Sequence, residues 1–217
     1  MKIHIRTSAN FREIHMGGIG PGILYRSSHP IGDGREDTAI TKLARRAGIA
    51  TILNLTDTNR DIKRLAALVP WYRKILNAGG VIALGMNFNG MSREFCVQLK
   101  KGIQFMLNHP GPCLIHCYAG VDRTGFVAIV LEALMGASLC EIIDDYLKSF
   151  LDDELLAPHD SPQYQRDSAI VHEILTMINN GRPVTEEQLR ETAEQYLVSQ
   201  VSLSTAELEL LKERLSR

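Results

Sequence analysis

Pro112-Cys113-Leu114-Ile115-His116-Cys117-Tyr118-Ala119-Gly120-Val121-Asp122-Arg123-Thr124-Gly125 passes from an apolar run, through a short polar loop, into a long apolar segment. Residues 112–116 read as a buried strand. From Thr124 to Met135 the chain is apolar nearly all round, which predicts a helix enclosed by the fold, and Gly136 closes it. A strand-loop-helix of this kind gathers the loop's N–H groups and the unpaired N–H groups of the first helical turn into one concavity. The helix dipole favours negative charge there. The segment is therefore an expected anion site, with Gly120 letting the loop bend and Cys117 at its floor. The field that holds an anion also favours a thiolate at Cys117, and a thiolate is a competent nucleophile. Arg123, six residues on, can turn back across the loop mouth as a two-pronged donor to phosphate oxygens. Thr124 is expected to donate its hydroxyl to the sulfur, and His116 to order the loop from behind through its ring nitrogens.

Outward from this segment, strand and helix signals alternate. Residues 35–48 read as a helix, with Ile40, Leu43, Ala44 and Ala47 at helical spacing, Glu36 and Asp37 in the first turn and Gly48 after the last. Ile49 to Leu55 is a buried strand with a polar loop, Thr56 to Asn59, at its carboxyl end. A helix over 60–68 is expected to stop before Pro70. A weak strand over 81–84 and a helix over 92–107 precede the quoted segment. Ser138 with Glu141 opens a helix to about Leu151, Val171 to Ile178 is helical, and Thr185/Gln188 and Ser204/Glu207 fit capping boxes for two terminal helices. The expected fold is α/β: a central, mostly parallel sheet flanked by helices, with an all-helical carboxyl-terminal third. One domain is expected over 1–217, with 152–217 a helical extension packed on the core.

Composition narrows the function. The 217 residues are 45% hydrophobic and 23% charged, with six Phe and six Tyr, which excludes a disordered or fibrous chain. The apolar run Phe126 to Leu131 ends at Glu132, far short of a membrane span. Met1 to Arg6 lacks the apolar core of a secretory signal, so the cytoplasm is the default location, and Cys96, Cys113, Cys117 and Cys140 are expected as thiols. A net charge of −1 hides a split: Lys and Arg outnumber Asp and Glu 17 to 8 over residues 1–130, and the balance is 7 to 17 over 131–217. The basic part suits an anionic small substrate better than nucleic acid, because its cations are scattered without interleaved aromatics. Equally, the two parts can neutralise each other inside one fold. The oligomeric state is not legible.

The segment resembles the signature of the cysteine-dependent protein tyrosine phosphatases, His-Cys-x5-Arg-Ser/Thr, at His116, Cys117, Gly120, Arg123 and Thr124. Asn10-Phe11-Arg12-Glu13-Ile14, followed by Gly17-Gly18, and Leu24-Tyr25-Arg26-Ser27-Ser28 are similar to stretches of the atypical bacterial and fungal branch, where they precede the core sheet. The closing stretch from Tyr196 to Leu215 is similar to that branch's last helices. The resemblance implies a tyrosine-phosphatase-like fold and hydrolysis of phosphomonoesters through a phosphocysteine on Cys117. It implies no metal and no cofactor, with substrate bound by Tyr118, Ala119, Gly120, Val121, Asp122 and Arg123. The substrate would be phosphotyrosine, with dual specificity open, on a phosphorylated protein or small phosphomonoester. No nucleic acid and no integral membrane association are expected.

The general acid is left open. The usual Asp on a mobile loop ahead of the cysteine is missing, since 79–91 contains no carboxylate. Asp122 is the first candidate, because Ala-Gly-x-Asp-Arg-Thr is similar to branches in which that Asp is proposed as acid. Asp57, at the carboxyl end of a central strand, is the second. Arg26, Arg60, Lys63 and Arg64 are candidates to extend a cationic pocket, or they merely solvate a face. Gln163 and Gln165 are weak candidates to position the hydrolytic water. His29, His159 and His172 are isolated in sequence, Cys113, Cys96 and Cys140 read as core thiols, and Gly17, Gly18, Gly20 and Gly22 as a turn. Phosphoinositides or inositol phosphates are the alternative substrate, although lipid-directed relatives often carry a basic residue where Val121 stands. Sulfur transfer fits the Arg123 spacing less well. An inactive phosphate-binding module fits less because Cys117 and Arg123 are both present.

Overall fold

The computed structural model describes residues 10–32, 34, 38–109, 111–151 and 156–217. Among these, five strands form one sheet: β1 (Arg12–Ile14), β2 (Leu24–Ser27), β3 (Thr51–Asn54), β4 (Val81–Ala83) and β5 (Cys113–His116). The order is β1-β2-β5-β3-β4, with β1 antiparallel to β2 and every other neighbouring pair parallel. The mostly parallel, helix-covered sheet expected from the sequence is thus the fold of the chain. Two stretches expected to precede the sheet are part of it: Arg12–Ile14 forms its edge and Leu24–Ser27 pairs directly with β5.

Side chains alternate along each strand, and the core divides accordingly. Leu24, Leu53, Cys113 and Ile115 face one side, while Ile52 and Leu114 face the other. The second side is covered by α1 (Ala39–Arg46), α2 (Asn59–Ala66) and α3 (Pro70–Asn77) through Ala44, Ile62, Tyr72 and Ile75. The first is filled by α4 (Arg93–Asn108) and α5 (Asp122–Leu134), joined by α6 (Leu139–Lys148). Every residue of α5 from Arg123 to Leu134 is buried, as its lack of a polar face predicts. Each large apolar side chain there stabilises the fold by roughly 1.5–3 kcal/mol.

Beyond α6 follow α7 (Pro162–Asp167), α8 (Ala169–Ile178), α9 (Leu189–Ser199) and α10 (Thr205–Ser216). They share the larger core: the Tyr196 ring meets Phe126 of α5 edge-on, and Leu208, Leu211 and Leu215 of α10 are buried. No helix among the described residues is long and apolar enough to cross a membrane. Part of the charge split is absorbed internally, because Arg12 and Arg26 both pair with Asp145, and Lys100 with Glu207.

Several boundaries differ from expectation. The first helix begins at Ala39 with Thr38 as its cap, and Glu36 and Asp37 lie outside the described residues. Pro70 opens α3 at its first position rather than only ending the preceding helix, because a missing N–H costs nothing there. The Ser138/Glu141 and Ser204/Glu207 boxes open α6 and α10, whereas Thr185 opens a single 3-10 turn, Glu186–Gln188, that leads into α9. Cys140, expected in the core, is exposed on the outer side of α6, and α6 ends at Lys148.

Candidate active site

The loop 117–121 joins the end of β5 to α5, and its carbonyls are held one after another. The Leu55 N–H donates to His116 O (2.9 Å) and the His29 N–H to Tyr118 O (2.9 Å). His116 Nδ1 donates to Cys117 O (3.3 Å). Asn10 Nδ2 lies 3.3 Å from both Ala119 O and Gly120 O, and Arg26 Nη2 lies 2.9 Å from Gly120 O. In a trans peptide the N–H points opposite to the C=O of the same unit, so the N–H groups of Ala119, Gly120 and Val121 face away from these donors. The first turn of α5 adds N–H groups without intrahelical partners, the first helical bond running from the Gly125 N–H to Val121 O (2.7 Å). Gly120 is required: its φ is +73°, and a Cβ there would sit 2.4 Å from Ser27 O.

Cys117 is buried at the start of this loop, and all four cysteines are free thiols. Burial pushes the Cys113 thiol up to about 12, which leaves it inert beneath the loop. Arg123 turns toward the loop between β4 and α4: Nη1 donates to Met86 O (3.1 Å), and the guanidinium carbon lies 4.4 Å from the centre of the Phe88 ring. Its Nε is buried without a partner, and so is the Thr124 hydroxyl, which does not donate to the Cys117 sulfur as expected. Phe88 and Tyr118 are 72% and 71% exposed, large aromatic surfaces beside the groups that would meet a substrate.

Behind the loop, His116 is buried and its ring is met edge-on by those of His29 and Tyr72. Burial, aided by His29, holds its pKa down to about 3. His29 Nδ1 accepts the Ile31 N–H, which makes Nε2 the donor to Asp57 Oδ2 at 2.7 Å. Asn54 Nδ2 donates to the same oxygen at 2.8 Å. Burial raises the Asp57 pKa, but these two hydrogen bonds outweigh it and hold the carboxyl below its ordinary range.

The remaining candidates are dispersed. Asp122 is the first residue of α5 rather than a loop residue; it is exposed and makes no hydrogen bond or ion pair among the described residues. Arg26 does not extend a cationic pocket. It is fully buried, because Asp145 supplies the charge that lets it cross the core. Arg60 is exposed on the first turn of α2, with Lys63 and Arg64 exposed further along. Gln163 and Gln165 are exposed on α7, His159 pairs with Asp144 on the surface, and His172 is exposed.

A comparison with protein families matches residues 3–217 to the tyrosine phosphatase family. The chain belongs to that family. No curated protein matches it. Among solved structures it is similar to the core catalytic domain of PP-IP phosphatase SIW14 from S. cerevisiae in complex with citrate. The two are 22% identical, with a TM-score of 0.44, over 81% of this chain and 96% of that one.

For a tyrosine phosphatase family member, sequence reading alone missed Asn10, His29, Met86 and Phe88 at the loop. His29 carried one usable signal, its place two residues beyond β2. Asn10 carried another, as the first residue of the Asn10-Phe11-Arg12-Glu13-Ile14 stretch similar to the family's atypical branch, whereas Met86 carried none, because its role arises from a contact made across the fold.

Proposed function

We propose that the chain hydrolyses phosphomonoesters without a metal, through a phosphocysteine on Cys117, with phosphotyrosine as the principal substrate and dual specificity within reach. The observation that carries this is the loop itself: three consecutive amides are turned away from donors that hold their carbonyls, beside a buried cysteine and the unpartnered Arg123 Nε. In the first step the Cys117 sulfur attacks phosphorus in line. The bond to the leaving oxygen breaks, and Asp122 gives that oxygen its proton. Water then attacks the phosphocysteine, the S–P bond breaks, and Asp122 takes the proton back. The loop amides and Arg123 meet the charge on the equatorial oxygens in both steps.

Asp57 suits the acid role poorly, because its hydrogen bonds keep it ionised. Asp122 is preferred on position: it precedes Arg123 at the start of α5, with an exposed side chain that can turn toward a leaving oxygen. Phe88 and Tyr118 favour an aryl phosphate over an alkyl one. The second reading, phosphoinositides or inositol phosphates, draws support from the exposed cations Arg60, Lys63 and Arg64 on α2. The chain acts as one domain in this proposal, since its last helices share the core with α5.

Hydrolysis of para-nitrophenyl phosphate from pH 4 to 8 in chelator, by wild type and Cys117→Ser, tests the chemistry. The expected outcome is turnover in the wild type alone; equal turnover in both would refute it. The ratio of phosphotyrosine-peptide to phosphoinositide hydrolysis then decides between the substrates.

A further inference from the structure

Arg12 and Arg26 sit directly opposite each other on β1 and β2 and project to the same side of the sheet. Two like charges in register repel, and what offsets this is Asp145 of α6. Its Oδ1 accepts from Arg12 Nε at 2.6 Å and its Oδ2 from Arg26 Nη1. Ser149 Oγ accepts from both guanidinium groups, at 2.9 and 3.2 Å. Arg26 spends its remaining Nη2 donor on Gly120 O, and Arg12 Nη1 donates to Asn10 Oδ1. That last contact fixes which way the Asn10 amide points, so its NH2 group must face the Ala119 and Gly120 carbonyls. Asn10 itself is 3% exposed and held at φ +42°, a left-handed conformation that is uncommon outside glycine and is sustained here by these three contacts.

We propose that Asn10 and Arg26 are positioning residues for the phosphatase reaction: from behind, they hold the loop carbonyls so that its amides meet the substrate phosphate, with Asp145 as their common anchor. The proposal rests on the phosphatase reading of the site. None of these side chains needs to touch substrate. Each acts through the peptide units that do, and a loop amide displaced by about 1 Å loses on the order of 10²-fold in rate.

A fourth ionisable group faces the cluster. Glu132 of α5 is fully buried, with neither oxygen partnered by a donor. Burial, and then the neighbouring Asp145 charge, raise its pKa well above the ordinary carboxyl range. Burial raises the Asp145 pKa as well, but Arg26 and Arg12 outweigh it and bring that carboxyl down to about 2. Arg12, Arg26, Asp145 and Glu132 thus form one largely buried cluster of ionisable groups behind the anion loop.

The test uses the full chain, para-nitrophenyl phosphate turnover and inhibition by orthovanadate, which needs the same amides. Asn10→Ala removes the donor without stranding a charge. Asn10→Asp keeps the shape and the contact to Arg12 but cannot donate, and Arg26→Lys keeps the charge but loses the forked reach to Gly120 O. All three are expected to lower kcat by about 10- to 100-fold and to weaken vanadate inhibition by a similar factor. The thermal midpoint of each variant shows whether it is folded before its kcat and vanadate inhibition are compared with those of wild type. If folded Asn10→Asp and Arg26→Lys kept kcat and vanadate inhibition within about twofold of wild type, the positioning role would be refuted. Wild-type enzyme without turnover or vanadate binding would instead remove the phosphatase reading, and the proposal with it.

Discussion

The two sides of the loop 117–121 are built oppositely. On its far side every carbonyl from His116 to Gly120 has a donor, and of the residues that supply them Arg26 is held in turn by Asp145 and Ser149, and His29 by Asp57. On the near side Arg123 Nε and the Thr124 hydroxyl are buried and unpartnered, at a free-energy cost to the fold. The difference teaches where stability and function separate. On the far side the loop carbonyls themselves are all satisfied, so it determines the loop's shape, although Arg26 Nε, His116 Nε2 and both Glu132 oxygens behind them are also buried without a partner. The near side leaves Arg123 Nε and the Thr124 hydroxyl unpartnered, which under the proposed function would serve an oxyanion, and the fold tolerates this because burial elsewhere, above all of α5, outweighs it.

Variants on the two sides should therefore fail differently. The largest effect is expected at Asp145→Ala, which strands Arg26 and Arg12 without their carboxylate. Denaturant unfolding should show a loss of about 3–5 kcal/mol, and a loss below 1 kcal/mol would show that the far side is not the rigid one. Asp122→Asn belongs to the near side and should leave stability unchanged. It should lower turnover of an alkyl or unactivated aryl phosphate by on the order of 10²-fold while sparing para-nitrophenyl phosphate, whose leaving group needs no acid. Equal effects on both substrates would place the acid elsewhere.

The far side also carries a pH signature. His116 is held down to about 3 in the fold against an ordinary 6.5, so the unfolded chain binds a proton that the folded chain refuses. The stability this represents is complete above about pH 6.5 and is lost as pH falls toward 3, with a slope of up to about 1.4 kcal/mol per pH unit. Unfolding measured from pH 7 to 4 should show it, and His116→Gln should flatten that slope. The smallest effect is expected at Thr124→Val, which removes a buried hydroxyl without a partner. Stability should rise by about 1 kcal/mol while turnover falls. A loss of stability there would mean that the near side is as well satisfied as the far one.

How much of this was legible follows the same division. The loop, α5 and the central strands were readable because their signals are local and long: an apolar strand, a helix with no polar face, capping residues at fixed spacing. The first two strands were not read as sheet, since three and four residues with Arg12, Glu13 and Arg26 among them carry no usable period. Arg26 reads by type as a surface cation. Only Asp145, far along the chain, makes its burial possible. Pro70 reads equally as a stop and as a first helical residue, and Cys140 lies on the outer side of a helix whose inner side begins two residues later with Ile142. Asn10 and His29 matter through contacts that only the folded chain creates.

The most direct test of the central claim is to trap the intermediate. Wild-type protein is quenched in acid during turnover of para-nitrophenyl phosphate in chelator, and its peptides are analysed by mass spectrometry alongside Cys117→Ser. The expected result is a phosphate adduct on the Cys117 peptide of the wild type, with turnover lost by on the order of 10⁴-fold or more in the variant. Undiminished turnover by Cys117→Ser, or an adduct on any other residue, would contradict it.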